Sequence, residues 1–133
     1  MPEPHPRMIE PDDPFVVRVR EVALAYPDTI EVEAWGRPSF RVGGASKKIF
    51  VMASNMQQPH SITFKPDPTD ADAFAHDDRF WSPPYWGAGG WLAIDTDRAD
   101  VSWDEVRELI DASYRQVALK RQIIALDKNP LVR

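Results

Sequence analysis

Phe40-Arg41-Val42-Gly43-Gly44-Ala45-Ser46-Lys47-Lys48-Ile49-Phe50-Val51-Met52 reads as two strands joined by a glycine-bearing connection of hairpin length. Ile49 to Met52 is apolar on both faces, as a central strand requires. Upstream, Ile30, Val32 and Ala34 alternate with Glu31, Glu33 and Trp35 at the two-residue period of a half-buried strand that ends at Gly36. Downstream, Ile62 and Phe64 alternate with Ser61, Thr63 and Lys65, and Pro66 and Pro68 close that strand. Trp91-Leu92-Ala93-Ile94-Asp95 reads as a fifth strand.

Helices flank this meander. Asp12 or Asp13 caps a first helix with Pro14 in its first turn, and Pro27 stops it. Thr69-Asp70-Ala71-Asp72 opens a short helix ending near His76. Ser102, with Glu105 three residues on, opens a long terminal helix that carries a stripe from Trp103 through Val106, Leu109, Ile110 and Tyr114 to Ala118, with Arg115, Lys120 and Arg121 toward its C-terminal half. The expectation is an α+β two-layer sandwich, an antiparallel five-stranded sheet with the N- and C-terminal helices packed on one face. Strand parity then leaves Glu31, Glu33, Trp35, Ser39, Arg41, Phe50, Met52, Thr63, Lys65, Trp91 and Ala93 on an uncovered face.

The 133 residues suit one domain, which buries about two thirds of its unfolded surface. Residues 1–11, rich in proline, read as a flexible arm, residues 12–128 as the domain and 129–133 as a tail. With no cysteine there is no disulfide, thiolate metal site or cysteine nucleophile. No apolar run resembles a leader or a membrane span, so the expected location is the cytoplasm, with no membrane partner. A net charge of −5 argues against a protein that coats nucleic acid. The charge is unevenly spread, however: residues 34–66 hold five bases, Arg37, Arg41, Lys47, Lys48 and Lys65, and no acid, whereas residues 67–111 hold twelve acids and three bases.

Trp35-Gly36-Arg37-Pro38-Ser39-Phe40-Arg41-Val42-Gly43-Gly44, Lys48-Ile49-Phe50, Phe64-Lys65-Pro66-Asp67, Pro84-Tyr85-Trp86, Gly90-Trp91-Leu92 and the helix from Glu108 to Val117 together resemble the MmcQ/YjbR family. The resemblance spans residues 12–127 and implies a frataxin-like (CyaY-like) sandwich with a double-wing DNA-binding role. The chain departs from the family pattern by inserting Ala45-Ser46-Lys47 in the hairpin. It also carries Ala88-Gly89-Gly90 where relatives often place a base before the tryptophan.

Two functional readings follow. In the first, Arg37, Arg41, Lys47, Lys48 and Lys65 hold a nucleic-acid backbone, with the hairpin as a wing and Trp35, Phe50 and Trp91 as stacking surfaces. In the second, Trp81, Tyr85, Trp86 and Trp91 line a cleft for a small molecule or protein partner, where Arg37, Arg41 or Lys65 orients an anionic group. The plainer account of the segment 80–91 is a proline-stiffened crossover whose rings cap the core. No catalytic set is expected, because His5, His60 and His76 are dispersed and no nucleophile motif neighbours them. Neither cofactor nor metal is expected: Asp95, Asp97 and Asp100 lack the glycine and glutamate of a calcium loop.

Overall fold

A computed structural model describes residues 6–43, 48–84 and 86–131. Helix α1 (Pro14–Ala23) starts where Asp13 accepts a hydrogen bond from the Phe15 amide at 2.8 Å, with proline at the first helical position. Strands β1 (Thr29–Ala34), β2 (Arg37–Val42), β3 (Lys48–Ala53) and β4 (Ser61–Phe64) follow as the expected meander. Next come a 3-10 turn (Pro68–Asp70), α2 (Ala71–Ala75), β5 (Phe80–Trp81), a second 3-10 turn (Gly87–Gly89), β6 (Leu92–Asp95), α3 (Trp103–Val117) and α4 (Lys120–Lys128).

The sheet is antiparallel with six strands in the order β1-β2-β3-β4-β6-β5, one more than the sequence suggests. The additional strand is the pair Phe80 and Trp81, which lies on β6 opposite Ile94 and Ala93 at the sheet edge. Two residues bounded by prolines and charges carry no periodicity, so this strand is set by its partner and by the packing of Phe80 against Phe64 and Phe74.

Helices α1 and α3 lie on one sheet face, over Phe40, Val51, Ala53, Ile62, Phe64 and Ile94. The predicted stripe of α3 is the buried one: Val106, Ile110 and Tyr114 are fully enclosed, and each such side chain contributes on the order of 1.5–3 kcal/mol. Its start is capped by the Ser102 hydroxyl, which accepts from the Glu105 amide. The helix does not run on to Arg121, however. Ala118 and Leu119 are extended, and a separate helix, α4, begins at Lys120. Gln122 fixes the break by accepting from the Leu119 amide at 2.7 Å and donating to Asp28 at 2.8 Å, and Arg115 bridges Asp111 and Asp127 across it.

Glu31 and Glu33 are not on the second sheet face: Glu31 pairs with Phe40 and accepts from Arg20 of α1, so the acids of β1 fall on the helix side and Ile30 and Val32 on the other. Two further corrections concern the second face. First, Phe50 is not on it. Phe40 pairs with Val51 and the next residue, Arg41, pairs with Ile49, so Phe50 is an extra residue in β3, a β-bulge. The bulge reverses side-chain parity, sends Phe50 between Tyr26 and Tyr114 in the core, and puts Ile49 beside Arg41. Second, this face is not open. Ser39, Met52, Thr63 and Ala93 are all buried on it, and residues 82–84 and 86–91 lie across it.

Candidate functional site

The turn between β1 and β2 consists of Trp35 (φ 54°) and Gly36 (φ 80°), so both central residues are left-handed as in a two-residue type I′ hairpin. Glycine is required at position 36, where a Cβ would come within 2.0 Å of the Pro6 carbonyl oxygen. Pro6 and Met8 lie against it, and the Met8 amide donates to the Gly36 carbonyl at 2.6 Å. Trp35 is a bulky residue in a region such residues rarely occupy, and its side chain meets Trp86 edge to face at 6.1 Å. Trp86 meets Trp91 in the same way at 5.1 Å, so the three indoles form a continuous row.

Trp86 separates two depressions. On one side, Arg41, Lys48, Ile49, Lys65, Trp86 and Trp91 surround a cleft of about 360 Å³ that the end of α3 closes at Gln116 and Val117. Arg41 reaches this cleft from β2 and Lys48 from the start of β3, while Lys65 immediately follows β4. The Lys65 backbone is pinned from α3: the Ser113 hydroxyl accepts from the Lys65 amide at 2.8 Å and donates to the Phe50 carbonyl, joining β3 to the chain just beyond β4. Arg41 donates to the Ser39 hydroxyl at 3.3 Å.

None of Arg41, Lys48 and Lys65 has a carboxylate partner among the described residues, although acids outnumber bases in the chain. Arg7, Arg20, Arg79, Arg98, Arg107 and Arg115, by contrast, each pair with an acid. A further depression of about 330 Å³ adjoins the cleft through Lys48 and Val117 and adds Arg121 of α4, which also lacks an acidic partner among the described residues. Sequence reasoning gave Arg121 no part in the site because it placed that residue on a continuous helix. Only the break at Ala118 and Leu119 turns it toward Lys48.

The remaining predicted residues separate. Arg37 shares its strand with Arg41 but is buried at the other end, where Nη1 donates to the Ser54 carbonyl at 2.7 Å and burial lowers the guanidinium pKa. It lines the cavity on the far side of Trp86, away from the basic cleft. Phe50 is a core residue and offers no stacking surface. Trp81 lines a different depression toward α2, together with Phe74 and Phe80. Lys47 and Tyr85 lie outside the described residues. The nucleic-acid reading therefore keeps Arg41, Lys48, Lys65 and Trp91, takes Trp86 from the ligand reading, and gains Ile49 and Arg121.

The other polar clusters are accounted for by the fold. His60 bridges Asp97 at 2.6 Å and Asp13 at 3.2 Å and stacks on Phe15. Burial opposes its charge, but the two carboxylates outweigh burial and raise its pKa. Arg79 holds Asp77 and Glu105, both at 2.8 Å, and donates to the Asp100 carbonyl, tying the approach to β5 to the start of α3. Among the described residues no group of three or more histidine or acidic side chains is placed to hold a metal, and no helix is long and apolar enough to cross a membrane.

The Deinococcus radiodurans protein DR2400, whose crystal structure contains a DUF419 domain, superposes with a TM-score of 0.64 at 21% identity over 82% of this chain and 85% of that one, a likeness of fold. Among curated proteins none matches this chain. The family model for YjbR matches residues 24–116, a span that includes the Trp35-Gly36 turn, the bulged hairpin, Lys65, the tryptophan row and most of α3. On that match, the chain belongs to the YjbR family.

Proposed function

We propose that this protein binds single-stranded nucleic acid at the cleft between Trp86, Trp91 and the three unpaired cations. One observation carries the reading: Arg41, Lys48 and Lys65, drawn from three separate places in the chain, surround one cleft with two indoles and have, among the described residues, no carboxylate partner to neutralise them. Cations without partners attract phosphate, and a half-buried indole offers its face to a base, a contact worth about 1–3 kcal/mol per base. The cleft suits unstacked bases of a single strand rather than a duplex, and the adjoining depression extends the basic surface to Arg121, so a strand several nucleotides long can be followed. The net charge of −5 works against binding a long polyanion, so contact is confined to this local basic surface. No catalytic step is assigned; the protein acts by binding.

Fluorescence anisotropy of labelled single- and double-stranded oligonucleotides, titrated at increasing salt, tests this. With Arg41, Lys48, Lys65 and Arg121 as the phosphate contacts, the slope of log K against log salt is expected near −2 to −3, about 0.7 for each contact on a single strand. The single strand is expected to bind more tightly than the duplex. Absence of binding at low salt, or a preference for duplex, rejects the proposal.

A further inference from the structure

We propose that the cavity on the other side of Trp86 is a second binding site, for a small molecule with a flat apolar body and one carboxylate. The cavity holds about 590 Å³, enough for a ligand the size of a bicyclic aromatic acid. Its walls are apolar: Trp35 from the β1–β2 turn, Met56 from the β3–β4 loop, and Pro83 and Trp86 from the segment that crosses the sheet.

The polar part of the lining selects the head group. Among the described residues, Arg37 contributes the only charge and no carboxylate lines the cavity. Arg37 gives one hydrogen bond, to the Ser54 carbonyl, and its Nε is buried without an acceptor. Asn55 is also buried; its Oδ1 accepts from the Gln57 and Gln58 amides, and its Nδ2 has no acceptor. The two side chains thus have donors left over and no acceptor left over. Buried donors without acceptors are rare in folded proteins, and two on side chains that line one cavity favour an acceptor-rich anion as its ligand. A guanidinium and an amide together match the two oxygens of a carboxylate.

Two further features fit a site for ligand rather than simple core packing. Trp35 keeps a left-handed backbone at φ 54° while its side chain stays 48% exposed, so a strained conformation presents an indole instead of burying it. Met56 stands 88% exposed on the rim, an unbranched side chain able to fold over whatever enters. The site is distinct from the basic cleft, since Arg37 and Arg41 lie on opposite sides of Trp86 and the cavities share only that residue.

The test uses the full chain labelled with ¹⁵N, titrated with naphthalene-2-acetate and, separately, with the neutral 2-(2-naphthyl)ethanol. The carboxylate is expected to bind saturably with Kd at or below about 1 mM. It should shift the Arg37 Nε–H, Asn55 Nδ2–H and Trp35 indole resonances, and the alcohol is expected to bind at least about tenfold more weakly. Met56→Glu places a like charge at an exposed position, so the fold is retained, and it should weaken the carboxylate about tenfold while leaving oligonucleotide binding unchanged. The proposal is overturned by absence of saturable shifts at millimolar probe, by equal affinity for the alcohol, by undiminished binding to Met56→Glu with an intact circular dichroism spectrum, or by shifts centred on Lys65 and Trp91.

Discussion

Replacing Ser113 with alanine tests the joint that holds the bulge and the basic cleft in register. Ser113 lies mid-helix and fully buried, and its hydroxyl is the partner of two main-chain groups, the Phe50 carbonyl and the Lys65 amide. Helix propensity alone predicts that Ser113→Ala stabilises the protein, by about 0.5 kcal/mol. The structure predicts the opposite sign: two backbone groups lose their partner, and at about 1–3 kcal/mol for each buried orphan, less partial relaxation, the net loss is about 2–4 kcal/mol. For 133 residues each kcal/mol corresponds to roughly 4 °C, so Tm should fall by about 8–15 °C. Thermal and urea unfolding followed by circular dichroism measure this directly. A Ser113→Ala protein as stable as the parent, or more so, refutes the assignment of that hydroxyl to the bulge.

Gly36→Ala should cost about 2 kcal/mol from the left-handed backbone and the collision with Pro6, and limited proteolysis should cut the residue 6–9 segment earlier than in the parent. Arg79→Ala should lower stability by about 2 kcal/mol, discounted for partial exposure, because Asp77, Glu105 and the Asp100 carbonyl lose a common donor; Arg79→Lys should recover only part, since one ammonium cannot reproduce the forked geometry. His60 gives a pH dependence. Its folded pKa is raised above the ordinary histidine value, so its contribution is complete below about pH 6.5 and is lost as pH rises through the folded pKa. Tm should therefore fall on going from about pH 6 to about pH 8, and His60→Asn should flatten that slope. An unchanged slope in the variant assigns the pH dependence elsewhere.

The periodic elements were legible in the sequence because their residues obey local rules: the Asp13 cap, the Ser102 box, the stripe of α3 and the alternation in β4; in β1 the strand was legible but its facing was not, since Glu31 pairs with Phe40 and Ile30 with Arg41. What escaped the reading lies where a local rule is overridden. The bulge at Phe50 has no composition signal, since Ile49, Phe50 and Val51 are all good strand formers and only the pairing with β2 shows which one is extra. The turn at Trp35 was missed as a two-residue hairpin because a bulky residue does not normally occupy a left-handed position. The break before α4 contains neither proline nor glycine and depends on Gln122 meeting Asp28, 94 residues away.

The candidate site was legible to a similar degree. The acid-free stretch pointed to Arg41, Lys48 and Lys65 because adjacent antiparallel strands bring cations at their ends together at one end of the sheet. The same stretch also pointed to Arg37, which has the parity of Arg41 but sits at the buried end of β2. Charge composition marks a region; depth along a strand depends on what covers it, here the crossing segment and the N-terminal arm.

The account stands most directly on the double variant Arg41→Ala with Lys65→Ala, assayed by oligonucleotide anisotropy across a salt series beside its circular dichroism spectrum. The account predicts an unchanged fold, affinity at least about tenfold weaker, and a salt slope shallower by about 1.4, two single-strand phosphate contacts removed. Parental affinity and parental salt slope in a folded double variant would contradict it, and would place any nucleic-acid contact away from the cleft of Trp86 and Trp91.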